Sequence, residues 1–212
     1  MKPWRVRSAL VCGLLIAGAA HVGAQSAPPM PQRLVDYCEG ESCQYGCRAI
    51  VQRPLALRSA DSRTAPISAQ LRVGDTVVIS TGNLWLLEPG LVLVVRDTVL
   101  KTDDGAPRTD TLALVRGDSV HVLEYHELGY WAWWARGRRY SGFEFWSGER
   151  RTALGSDRDS LAAVLVRDSR IEYWFQLRGS RGTGWWLAVP GYVSLLDDWM
   201  YCVGPPRPPD GN

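Results

Sequence analysis

Histidine is scarce in this chain, with three in 212 residues, which narrows both general acid–base catalysis and nitrogen-ligated metal binding. No G-x-S-x-G nucleophile elbow occurs. No phosphate-cradling loop occurs either, since the run from Gly179 to Gly184 has neither a Lys nor a following helix and reads as a hairpin turn. Helical periodicity is lacking. The best candidate, Ser156 to Val166, is short and ends in β-branched residues. Missing too is an excess of charge of one sign: 24 Lys and Arg stand against 22 Asp and Glu, so nucleic acid and anionic lipid are excluded as partners. The nearest approach to a basic patch, Arg136, Arg138 and Arg139, reads as a solvated hairpin turn.

The first residues have the pattern of a secretory signal. Lys2, Arg5 and Arg7 precede an apolar run from Ala9 to Ala20 that is too short to span a bilayer, and Val22-Gly23-Ala24 closes it with small residues. Cleavage before Gln25 is expected, making residues 1–24 a signal peptide and the protein exported, to the periplasm or the medium. Cys12 lies inside the apolar run and lacks a lipobox context, so it leaves with the leader. Cleavage removes three cations and moves the formal net charge from +2 to −1. No further transmembrane segment is expected.

Four cysteines remain, Cys38, Cys43, Cys47 and Cys202, an even number suited to two disulfides in an oxidising compartment. Three pairings are possible; Cys38–Cys43 with Cys47–Cys202 is favoured because the first three crowd together. A bridge closing so long a loop contributes on the order of a few kcal/mol. The spacing suits a zinc knuckle poorly.

Residues 25–37 open a Pro/Cys-rich N-terminal segment (25–47), and 204–212 form a Pro-rich tail; both Pro-rich stretches are expected to be extended and mobile. Between them apolar residues recur with period two in short runs broken by Gly, Asp and Pro, the mark of an all-β barrel or sandwich. Strands are expected at 48–52, 54–58, 67–72, 75–80, 91–96, 98–102, 110–115, 118–125, 130–135, 139–146, 162–167, 170–177, 184–189 and 192–196. One motif repeats: L-R-V-G-D-T-V-V-I (71–79) and L-V-R-G-D-S-V-H-V (114–122) share L-x-x-G-D-[ST]-V-x-[IV]. In each, Gly-Asp turns the chain between strands, so Gly74 and Gly117 are backbone devices rather than ligand contacts.

The stretch 55–79, with Leu-x-x-Arg-Ser, a small-residue loop and Leu-x-x-Gly-Asp-x-Val, resembles the opening of bacterial SH3-like (SH3b-type) domains. W-F-Q-L-R-G-S-R-G-T-G-W-W-L (174–187) is similar to the family's closing hairpin. The resemblance implies two small SH3-like barrels packed together and disulfide-stapled, a first unit at 48–103 and a second at 104–203, binding peptides or cell-wall material. The first unit departs from the pattern in having Leu84 to Gly90 where a Gly-Trp hairpin is due. The second lacks the Leu-x-x-Arg-Ser opening and carries an insertion between Trp146 and Leu161.

Nine of the ten Trp fall in the mature chain, many in adjacent pairs whose rings must point to opposite faces of a strand. One small core cannot take both sets. Either a second layer covers the other face, or some rings form a recognition surface. Tyr130, Trp131, Trp134, Tyr140, Trp146 and Trp185 are the pool from which ligand contacts would be drawn. His121, Glu124 and His126 look metal-like, yet strict alternation puts His121 opposite the other two, so a shared site needs a bulge. The paired carboxylates Asp103-Asp104 and Asp197-Asp198 point apart and suit no glycosidase. These features predict a non-enzymatic envelope module with no cofactor and no metal, whose partner is a peptide, peptidoglycan or an envelope protein. The alternative is a small exported metal-dependent hydrolase using His121, Glu124 and His126.

Overall fold

A computed structural model describes residues 26–38, 43–102, 110–127, 129–147 and 162–196. Every regular element among the described residues is a strand: β1 (Gln32–Val35), β2 (Arg48–Val51), β3 (Leu55–Arg58), β4 (Ile67–Leu71), β5 (Thr76–Glu88), β6 (Gly90–Val94), β7 (Thr98–Thr102), β8 (Asp110–Leu114), β9 (Ser119–Glu127), β10 (Tyr130–Ala135), β11 (Arg138–Phe143), β12 (Trp146–Ser147), β13 (Ala163–Arg167), β14 (Arg170–Gly179), β15 (Gly182–Leu187) and β16 (Val193–Leu195). The protein is all-β, as the period-two pattern implies. Ala163–Arg167, which overlaps the end of the best helical candidate, is a strand. The signal segment, Cys12, Asp103-Asp104, most of the 147–160 insertion, Asp197-Asp198, Cys202 and the tail lie outside the described residues.

One sheet runs β16-β2-β5-β14-β15-β3-β4, with β1 added to the far half of β5; a second runs β11-β10-β9-β6-β13-β12, and β7 and β8 form a separate hairpin. Neither sheet closes into a barrel among the described residues. The ladders interleave where the sequence reading placed consecutive units at 48–103 and 104–203. β5 pairs with β14 from Glu88↔Arg170 to Val77↔Gly179, so the hairpin at 174–187 joins the sheet that holds 55–79.

The repeated motif has the same geometry in both places. Gly74 and Gly117 take φ of 86° and 96°, a region that costs a Cβ-bearing residue energy. Each Gly amide donates to the preceding core strand, Gly74 to the Val51 carbonyl at 2.9 Å and Gly117 to that of Val94 at 2.8 Å. Asp75 accepts from the Arg72 amide at 2.8 Å, and Asp118 from that of Val115 at 3.0 Å. The correspondence extends beyond the turn: β16-β2-β5-β14-β15 has the order of β13-β6-β9-β10-β11. Even a register shift recurs, at Gln176/Leu177 against β5 and at Trp131/Trp133 against β9. Two copies of one strand arrangement are present, the second lying in sequence between β5 and β14 of the first.

Each copy has its own core. Val51, Leu57, Ile79, Phe175, Leu177 and Trp186 are prominent in the first; Val94, Leu114, Val122, Trp133, Tyr140 and Trp146 are prominent in the second. A small seam of Leu86, Leu123 and Ala132 joins them, packed by Met30 and Trp134. Residues 26–37, expected to be a mobile lead-in, are docked. Pro28 is buried, β1 pairs Gln32–Val35 with Leu86–Asn83, and the Tyr37 hydroxyl donates to the Tyr125 carbonyl. The reason is apolar: Met30 covers the seam that the two sheets leave open. Cys38 and Cys43 form a disulfide. Cys47 is disulfide-bonded too; its expected partner, Cys202, lies outside the described residues.

Candidate functional site

Strand alternation on β10 sorts its aromatic rings. Trp131, Trp133 and Ala135 face the second core, while Ala132 and Trp134 face the seam. Trp133 is fully buried and stacks on Tyr140 with centroids 5.1 Å apart. Tyr140 and Trp146 are therefore core residues rather than surface contacts. Trp131 is half-buried between the edges of Tyr125 and Trp146, at 5.0 and 5.6 Å. Trp185 is half-buried on the first sheet, opposite Gln176 and Arg58. Of the expected pool, the structure brings Tyr130 and Trp134 onto the face of the second sheet turned from its core, its outer face, which the seam covers at Ala132 and Trp134, and places Trp185 elsewhere.

That outer face carries a residue the sequence reading passed over. Phe143 pairs across from Tyr130, meets its ring edge-on at 5.3 Å and is 68% exposed. Its neighbour Gly142 turns inward, where a Cβ would meet the Lys101 carbonyl at 3.2 Å, and this fixes Phe143 outward. Tyr130, Ala132 and Trp134 thus form one row on β10, with Phe143, Ser141 and Arg139 beside them on β11.

The register shift in β9 sets two residues of β9, Leu123 and Glu124, against one of β10, Ala132, between the pairs at Val122 and Tyr125. It turns Glu124 to this same face, and the carboxylate, buried to 3% exposure, forms an ion pair with Arg139 and stands 3.7 Å from His126 Nε2. Burial pulls the Arg139 guanidinium below its usual range. His121, directly across from Trp134, shares the face as well, so the strict alternation expected to separate it from Glu124 and His126 is broken by the bulge. Burial, and then the charge of Arg167, lower its pKa and favour the neutral imidazole. The three side chains still do not converge: among the described residues no group of three His, Cys, Asp or Glu is placed to hold a metal ion.

The first sheet offers the corresponding face for comparison. Trp174 and Leu187 are paired there as Tyr130 and Phe143 are here, but Trp174 is only 2% exposed. The loop between β3 and β4 supplies two anchors beside it. Asp61 accepts hydrogen bonds from Arg33 Nε at 2.7 Å, Asn83 Nδ2 at 2.8 Å and Trp85 Nε1 at 2.9 Å. Arg63 pairs with Glu172 at 2.7 Å, and Glu172 in turn accepts from the Trp174 indole at 3.1 Å. Burial raises the Asp61 pKa, but the bonds from Asn83, Arg33 and Trp85 together outweigh it and hold the carboxyl below its ordinary value. In the first copy the β3–β4 loop is thus anchored beside the face whose counterpart in the second copy carries the exposed Phe143.

No protein-family model, no curated protein and no solved structure matches the chain.

Proposed function

We propose that the protein is a non-enzymatic binding or scaffolding module exported to the bacterial cell envelope, built from two SH3-like units, one set within the other. It recognises a peptide, peptidoglycan or a protein partner through the aromatic outer face of the second sheet. The reading rests on one observation: Phe143 stands 68% exposed against Tyr130, whereas in the first copy Leu187, at the position of Phe143, is half-buried and Trp174, at the position of Tyr130, is buried beside the anchored β3–β4 loop. Two rings held edge-on offer large contact area at small cost in side-chain entropy, which suits sugar rings and extended peptides. The shared strand order and the Gly-Asp turns support the SH3-like assignment; the basic, apolar and small-residue order of the first 24 residues and the Cys38–Cys43 bridge support export.

The test is cosedimentation of the mature protein with purified peptidoglycan sacculi, comparing wild type with Tyr130→Ala/Phe143→Ala. Because hot-spot aromatics are worth about 2 kcal/mol or more on truncation, binding is expected to fall at least about tenfold while the melting temperature holds. Undiminished binding by the folded double variant would remove these rings from recognition.

A further inference from the structure

The row that begins at Tyr130 continues under the N-terminal segment. Tyr130, Ala132 and Trp134 project from one face of β10 at two-residue spacing, about 6.8 Å per step. At the Trp134 end the face is occupied by Ser26-Ala27-Pro28-Pro29-Met30-Pro31. The Trp134 indole N–H donates to the Ser26 carbonyl at 2.7 Å, Pro28 is buried between exposed neighbours, and Met30 packs against Leu86, Leu123 and Ala132. The β10–β11 turn is bare at Gly137, where Ser26 Oγ lies 3.4 Å from the position a Cβ would take.

From this geometry we propose that residues 26–31 are a displaceable strap, an occupant in cis of the recognition face, and that the subsite beneath accepts an extended, uncharged, proline-containing peptide. The proposal deepens the recognition reading above and rests on it for the role of the open end. The strap itself shows what the subsite takes. It carries no charge and three prolines; the Pro29 carbonyl accepts from Gln32 Nε2 at 3.1 Å, and the indole reads the Ser26 carbonyl without regard to side chain. Its hold on the second sheet is apolar contact plus that one indole bond among the described residues. Firm anchoring begins only afterwards, at β1, with its ladder to β5 and the Arg33–Asp61 pair at 2.7 Å. Such a segment can lift from Trp134 while the chain stays pinned from Gln32 onward. Lifting it would lengthen the open face from the Tyr130–Phe143 pair to Trp134, and Arg139, held by Glu124, lies alongside.

The strap competes at the high effective concentration of a short tether, so a free peptide should bind wild type weakly. The probe is a labelled synthetic peptide of residues 25–32, Gln-Ser-Ala-Pro-Pro-Met-Pro-Gln, titrated by fluorescence anisotropy. Pro28→Gly/Met30→Gly, which loosens the strap, should bind it at least about tenfold more tightly than wild type, and adding Trp134→Ala should abolish that gain. Met30→Ser alone serves if the double variant melts early. Equal binding to strapped and loosened proteins, or no binding by a folded loosened protein, overturns the proposal. Phe143→Ala separates the two readings: peptide binding retained at Trp134 with sacculus binding unaffected by Phe143 would defeat the recognition surface alone, whereas the reverse pattern would defeat the strap alone.

Discussion

A single carboxylate ties three distant stretches of chain. Asp61 draws donors from Arg33, Asn83 and Trp85, so it fastens β1, β5 and the β3–β4 loop at one point. Those hydrogen bonds hold its pKa below the ordinary carboxylate range. A carboxyl depressed on folding stabilises the native state fully above the ordinary carboxylate range, and the contribution drains away as pH falls through the folded value. Asp61→Asn should therefore lower stability by about 1–3 kcal/mol at pH 7, and the gap from wild type should narrow steadily below about pH 4. Thermal melts between pH 7 and 2.5 read this directly; a gap that stays constant across the range contradicts it. None of this was legible in the loop Ser59-Ala60-Asp61-Ser62, whose small polar residues read as a turn, because the three donors come from 22 to 28 residues away. Period two correctly put Trp133 and Trp134 on opposite faces, but which face lay open depended on the strap. The expected contact pool included Tyr140 and Trp146, which are buried, and passed over Phe143, whose ring is exposed.

Strands were the most readable level. Most of the expected runs coincide with observed ones to within two residues, because alternation of apolar residues is a local property. β1 had no expected run and β11 ends three residues short of the expected 139–146, while β5 departs most, since it continues to Glu88 through Ser80-Thr81-Gly82-Asn83, a composition that reads as a turn. Gly82 is there for a different reason: a Cβ at that position would lie 2.8 Å from the Phe175 ring, so the missing side chain makes room for packing within a strand. Gly117 is the contrasting case. Nothing lies within 4 Å of the site of its Cβ, so its requirement is the backbone angle alone. Gly117→Val should cost about 1–2 kcal/mol from conformational strain, with Gly74→Val costing a similar amount in the other copy. Denaturant titrations of both would check this, and unchanged midpoints would contradict the shared turn geometry.

The pairing of strands was hidden from a linear reading. β5 and β14 belong to one ladder although about eighty residues lie between them, and alternation names a strand's faces but not its neighbour. The nested arrangement carries a prediction of its own. Both cores are separate clusters, and the seam between them holds three buried residues. Residues 90–167 expressed alone should give a β-sheet circular dichroism spectrum and one cooperative melt. Residues 26–88 joined to 170–212 through a copy of the sequence Leu-Gly at 128–129 should do the same. Two non-cooperative products would mean that the copies depend on each other for folding.

Because the inner copy leaves and rejoins the outer one through adjacent strands, a pull applied at the two ends of the described chain, on β1 and on β16, bears on the outer sheet. The aromatic face on the inner copy sits off the load path. Tension between those two ends reaches the inner copy only once the β5–β14 ladder has opened.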